Sequence, residues 1–271
     1  MSRLSSLVSL YPGFNPSIFT LEGTNTYIIG TGQKKILIDT GEGIPAWIEN
    51  LSRNIARNEL QCILITHSHP DHIGGINDAF NYFGRVPVYK RVMDNEEDRE
   101  INEKFQNQIY SLSDNEIIRT EGVTLQAVFT PGHKNDHVCY FLQEENAVFT
   151  GDLIMGRGST ILDVYYDYMN SLYRVQNIAP RILYTGHGET NIFAAEKITE
   201  NIEHRNQRER QVFNALDSQK TTEEIVATVY GQLDEKVRSS AIFNTNQYLQ
   251  ALKIKNLVEY SESELKWKRA E

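Results

Sequence analysis

The sequence predicts an α/β layered fold: two mixed sheets flanked by helices, then a small helical piece closed by a hairpin. Short apolar runs of strand length alternate with helix-period segments between residues 24 and about 190. Four of those runs end in a small residue and a metal-ligand side chain, at His67, His133, Asp152 and His187. α/β layered proteins build sites beyond their strand ends in this way. From residue 194 onward the pattern turns helical.

Taken in order, residues 4–10 and 24–30 read as strands joined through the turn-forming Tyr11-Pro12-Gly13-Phe14-Asn15-Pro16. Lys35 to Ile38 is the next strand and ends at Asp39-Thr40-Gly41. Apolar Trp47, Ile48, Leu51 and Ile55 predict a helix over 45–58. Cys62 to Ile65 is a buried strand, Ile76 to Phe83 a helix and Val86 to Tyr89 a short strand. Residues 94–108 are polar and charged, which predicts a solvated insertion or lid. Strands follow at 124–129, 138–142, 147–150 and 181–184, with a helix over 167–176.

The chemistry concentrates in Thr66-His67-Ser68-His69-Pro70-Asp71-His72, which leaves the strand at 62–65 and runs into Gly74-Gly75. Three of the 7 histidines fall within these residues. Imidazole and carboxylate are the usual ligands of zinc and its neighbours. Residues i and i+2 of an extended segment point the same way, so His67 and His69 can grip one ion. With His133 they make a tri-imidazole set. Asp71, His72 and His187 make a second, harder set, and Asp152 can bridge both. Two divalent ions about 3.5–4 Å apart can hold an activated water between them, whose pKa falls to near 7. Asp71, Asp152 and His137 are expected to take part in catalysis, His137 either as a proton donor or as a strand-packing histidine. Zn²⁺, two per chain, is the expected cofactor, and Mn and Fe also suit His/Asp sets. Thr24 and Asn25 are read as rim or turn residues. Tyr168, Asn170 and Ser171 are read as cleft or packing residues, and the Tyr165-Tyr166 pair as base-stacking or packing residues.

The motif THSHPDHIGG resembles the T-H-x-H-x-D-H-x-G-G signature of the metallo-β-lactamase superfamily. The supporting Ile38-Asp39-Thr40-Gly41, Thr130-Pro131-Gly132-His133, Thr150-Gly151-Asp152 and Gly186-His187-Gly188 follow in that family's order. The resemblance implies an αββα sandwich, a dinuclear hydrolytic site, and a role for Asp39 in orienting the metal loop. A glyoxalase II-like set without a Cys ligand sets it apart from antibiotic-hydrolysing members. GTNTYIIG, DYMNSL, HRNQRE and Lys266-Trp267-Lys268 further resemble the β-lactamase-like protein 2 branch. That branch implies an endoribonuclease cleaving single-stranded RNA in mitochondria. Related fungal acyl-carrier thioesterases make thioester hydrolysis the alternative.

The C-terminal piece is read as a long helix over 194–216, a capping box at Thr221-Thr222-Glu223-Glu224 that opens a second helix, a third helix over 239–255, and a hairpin from 257 to 268. Three helices and a hairpin make a winged-helix-like pattern, placing a catalytic domain at 1–203 and a small domain at 204–271. Net charge is −9, which argues against a generic polyanion-binding surface. The acidity lies in residues 1–203, with 16 Lys/Arg against 26 Asp/Glu, whereas residues 204–271 carry 11 against 10. The small domain is therefore expected either to contact single-stranded RNA or to pack, as in a homodimer. No apolar run reaches the roughly 18 residues of a membrane span, so no membrane partner is expected. Only 2 Cys, each in an apolar run, favour a reducing compartment; with the mitochondrial setting that the resemblance implies, the expected location is mitochondrial matrix or cytoplasm, not secretion.

Overall fold

Alternation within the strands sorts the side chains into layers. In the computed structural model, which describes residues 1–190 and 192–270, β1 (Ser2–Arg3), β2 (Val8–Pro12), β3 (Asn25–Ile29), β4 (Lys35–Ile38), β5 (Leu60–Leu64), β6 (Val88–Lys90) and β7 (Ile109–Ser111) form one sheet in sequential order. β8 (Ile117–Thr120), β9 (Val123–Phe129), β10 (Val138–Leu142), β11 (Ala147–Gly151), β12 (Ile182–Thr185) and β13 (Ile192–Phe193) form the other. Both are mixed: β4 to β7 run parallel, as do β11 and β12, while the other neighbours are antiparallel.

In the first sheet Tyr27, Ile29, Ile36, Ile38, Cys62 and Leu64 face the second sheet, where they meet Leu125, Ala127, Tyr140 and Phe149. The intervening Ile28, Leu37 and Ile63 point outward. They pack under α1 (Pro45–Ser52), through Trp47 and Leu51, and α3 (Ile76–Phe83), through Ile76, Ala79 and Phe80. On the far side Val128, Cys139, Val148 and Leu183 pack under α5 (Tyr165–Ile178) and α6 (Ala194–Asn214). The result is the expected αββα sandwich, which period-two burial of two sheets requires.

The third apolar layer does not stop at α6. It continues without a break through Val212 and Leu216 into α7 (Thr222–Tyr230), α8 (Glu235–Ile254) and the hairpin of β14 (Val258–Ser261) and β15 (Lys266–Arg269), ending on Trp267. The predicted capping box is formed: Thr221 Oγ1 accepts from the Glu224 amide, and the Glu224 carboxylate accepts from the Thr221 amide. The division drawn between residues 203 and 204 falls within α6.

The polar stretch after β6 forms α4 (Glu96–Lys104), capped by Asn95. It is anchored through Asp98, which pairs with buried Lys90; that ammonium also lies 3.2 Å from Asp136. Among the described residues no helix is long and apolar enough to cross a membrane.

Candidate metal centre

β4 and β5 run parallel in one sheet and β11 and β12 in the other, and the side chains that follow their carboxyl ends meet at one end of the sandwich. β9, two antiparallel steps from β11, also ends there. The loops leaving these strands carry the ligand-type side chains. α2 (Pro70–Ile73) begins immediately after His69, and its single turn carries Asp71 and His72 into the second of two ligand groups, with the His72 ring 4.1 Å from that of His67. The following glycines allow a close approach: a Cβ on Gly75 would lie 2.2 Å from the Thr40 carbonyl and 2.8 Å from the Trp47 ring. Gly132, with φ +126°, similarly lets the His133 loop meet the Tyr168 backbone, 2.2 Å from where a Cβ would sit.

The seven side chains converge in two groups, His67, His69, His133 and Asp152, and Asp71, His72 and His187, each with its ligand atoms within 4.8 Å of one another. In the first, His69 Nδ1 lies 2.9 Å from His67 Nε2 and 3.1 Å from His133 Nε2, and His67 and His133 Nε2 are 3.2 Å apart. In the second, Asp71 Oδ2 lies 3.2 Å from His72 Nε2 and 3.1 Å from His187 Nε2. Asp152 spans the groups: its Oδ2 is 3.5 Å from His133, and its Oδ1 is 3.2 Å from His187 and 3.4 Å from His72.

These residues fit divalent ions. Bonds of about 2.0–2.1 Å in a tetrahedron space the ligand atoms by about 3.3 Å, close to the separations seen. His133 directs Nδ1 at the Ile161 carbonyl, 2.8 Å away, so its proton belongs there and a bare lone pair faces the group. Asp152 Oδ1 is buried and faces the Nε2 atoms of His187 and His72, so it needs a cation or their protons to match it. Without a cation, charge balance falls to protons. Burial opposes charge on His72 and His187, but the carboxylates of Asp71 and Asp152 outweigh it, raising His72 well above the usual range and His187 to about 9. Burial likewise opposes ionisation of Asp71 and Asp152, and the facing imidazoles reverse that and hold both well below the usual carboxylate range. In the first group burial dominates and lowers His67, His69 and His133, the last to about 4, leaving neutral ligands.

Asp39 supports the second group from behind. Its carboxylate accepts from the Thr66 amide and hydroxyl, both at 2.8 Å, and lies 2.8 Å from His72 Nδ1. Its backbone takes φ +56°, which turns the chain sharply at the end of β4.

His137 does not reach the cleft as a proton donor. It is fully buried, Nδ1 lies 2.8 Å from Thr130 Oγ1, and Nε2 accepts from the Asp152 amide at 3.2 Å. It positions the backbone that presents Asp152, and burial holds it neutral. Thr24 Oγ1 donates to Asp71 at 3.2 Å, while Asn25 donates to the carbonyls of Thr185 and Gly188 and ties the sheets together. Tyr168 and Ser171 are packing residues that hold the loops through the Leu153 and Pro131 carbonyls; Asn170 is exposed. Tyr165 packs on Tyr248, and neither Tyr165 nor Tyr166 lines the cavity.

Both groups open into a cavity of about 740 Å³. Its opposite wall comes from the loop Ile18 to Leu21, α6 and α8, and no residue of 94–108 lines it. The expected lid is thus a docked helix, and the C-terminal helices shape the cleft. Sequence reasoning missed Thr160, Arg205 and Asn244 here. One signal existed for Arg205: a cation on the apolar stripe Ile198, Ile202 and Val212 of α6.

A sandwich with paired imidazole–carboxylate groups at its strand ends defines a class of metal-dependent hydrolases. The model of the metallo-β-lactamase superfamily matches residues 19–187, and the chain belongs to that superfamily. Over 276 residues the chain is 36% identical to the β-lactamase-like protein 2 homolog of Caenorhabditis elegans, spanning 98% of this chain and 91% of that protein. It is 37% identical over 241 residues to an atrochrysone carboxyl ACP thioesterase of Aspergillus chevalieri, covering 84% of this chain and 74% of the relative. A β-lactamase domain protein from Burkholderia ambifaria shares the fold with a TM-score of 0.83 at 17% identity, over 99% of this chain and 93% of that one.

Proposed function

We propose that this protein is a two-metal hydrolase that cleaves phosphodiester bonds in single-stranded RNA. The observation that carries the reading is the joining of the two-group centre to a cavity whose far wall carries Arg208 and His204 of α6, with Arg157 on the near side. In a chain of net charge −9, Arg208 brings positive charge from α6 to this cavity, whereas Arg157 pairs with Glu22 at 2.6 Å and burial holds His204 below the usual imidazole range. The match to the C. elegans β-lactamase-like protein 2 homolog covers the C-terminal helices as well as the sandwich, and so includes this wall. His67, His69 and His133 would hold one ion, Asp71, His72 and His187 the other, and Asp152 would serve both. Zn²⁺ suits these imidazole-rich sets best. When bound, such ions supply an activated water at neutral pH and stabilise negative charge on the oxygens of the reacting centre. Asp39 holds His72 in the tautomer whose Nε2 faces the centre, and His137 holds the Asp152 backbone.

A second reading is thioester hydrolysis. It is favoured by the apolar side chains Ile18, Phe19, Met155, Val237 and Phe243 along the same cavity, and by relatives named as acyl-carrier thioesterases. One experiment separates the two: a fluorogenic single-stranded RNA and an acyl thioester offered side by side to the zinc-loaded protein and to Asp152→Ala. RNA cleavage lost on chelation and in Asp152→Ala is the expected result. Thioester turnover with intact RNA would select the second reading.

A further inference from the structure

We infer that the C-terminal helices do more than wall the cavity: Arg205, with Asn244 and Tyr248, positions the metal ligand His133. The inference rests on the metal-holding reading of the two groups. His133 is steadied from behind by a short segment, since its Nδ1 lies 2.8 Å from both Thr160 Oγ1 and the Ile161 carbonyl. Residues 159–164 belong to no helix or strand, although the Val164 amide donates to the Gly132 carbonyl at 3.1 Å. They are held from α6 and α8. Arg205 Nη2 donates to the Thr160 carbonyl at 2.8 Å, and Asn244 Nδ2 donates to the same oxygen at 3.3 Å. Asn244 Oδ1 accepts from the Leu162 amide at 2.9 Å. Arg205 in turn donates Nη1 to the Tyr248 hydroxyl at 3.1 Å and stacks its guanidinium 4.9 Å from the centre of the Tyr168 ring.

A guanidinium that is 1% exposed, with its Nε unpaired and no carboxylate ion pair among the described residues, is an expensive choice for a helix face that also buries Ile198, Ile202 and Val212. Simple packing would be served by Leu or Met. What Arg adds is a planar, forked donor that reaches Thr160 and Tyr248 together. The coupling is one-sided: Arg205 reaches His133 through Thr160, and among the described residues none of its hydrogen bonds goes to Asp71, His72 or His187.

The test measures zinc affinity by competition with a chromophoric chelator in two backgrounds that each keep one group. Asp71→Asn cripples the second group, and His67→Ala cripples the first. Arg205→Met should weaken zinc about 10–100-fold in the Asp71→Asn background, the usual range for a partner behind a ligand. It should shift affinity less than about twofold in the His67→Ala background, and Arg205→Lys should restore part of the loss. If Arg205→Met does not fold, Thr160→Val, which removes only the hydroxyl beside His133, should give the same one-sided pattern at smaller size. Equal losses in both backgrounds, or no loss in a folded variant, would overturn the positioning role. Failure of zinc to bind in either background before Arg205 is touched would instead overturn the metal reading beneath it.

Discussion

Asp39→Asn isolates the geometry of the second metal group. The wild-type carboxylate is 1% exposed and serves the Thr66 amide, the Thr66 hydroxyl and His72 Nδ1, each at 2.8 Å. The amide variant keeps nearly the same shape but has one acceptor oxygen instead of two. If that oxygen stays on the Thr66 amide, an NH₂ group faces His72 Nδ1. Two donors then oppose each other, and the imidazole relieves this by moving its proton to Nε2, the atom that faces Asp71 and His187. A protonated Nε2 is no ligand. Loss of such a supporting carboxylate costs about 10–100-fold in metal affinity, or about 1.4–2.7 kcal/mol at 1.36 kcal/mol per decade. Stepwise zinc affinities from chelator competition, with ¹⁵N imidazole shifts reporting the tautomer, measure both consequences. One weakened step and one unchanged step are expected. Two unchanged steps, or His72 retaining its Nδ1 proton with weakened binding, would refute the tautomer argument.

Other perturbations follow from the same contacts. Because His187 is raised to about 9, an incoming ion must displace its proton, so affinity at the second group should climb about tenfold or more per pH unit between pH 7 and 9; pH-independent titrations over that window would count against it. Burial pushes the thiols of Cys62 and Cys139 up to about 12, so the native protein should resist maleimide at pH 8 and react only on unfolding. Rapid labelling of the folded protein would contradict their placement. Trp47 is fully buried under the first sheet and donates Nε1 to Thr26 Oγ1 at 2.9 Å. Trp47→Ala should lower stability by about 3–5 kcal/mol in urea unfolding, and a change below about 1 kcal/mol would show that α1 is not part of the core.

The ligands were legible because their chemistry is local and each follows an apolar strand. Ile76 to Phe83 matches its helix from end to end. The helix read over 45–58 stops at Ser52, and Ile55 reaches the core from a non-helical segment; apolar spacing alone does not mark where a helix gives way to a turn. The polar stretch at 94–108 read as a lid because composition does not reveal that Asp98 points inward to Lys90. His137 offered the same ring as the ligands, and only its neighbours Thr130 and the Asp152 amide distinguish it. Thr160 and Asn244 were invisible for a different reason: they meet 84 residues apart in the chain, and no periodicity encodes such a contact.

The central claim is a pair of ions sharing Asp152. Anomalous diffraction from crystals soaked in zinc tests it most directly. Two peaks about 3.5–4 Å apart, one beside His67, His69 and His133 and the other beside Asp71, His72 and His187, with Asp152 between them, are the predicted result. A single peak away from Asp152, or none at saturating zinc, would contradict the account.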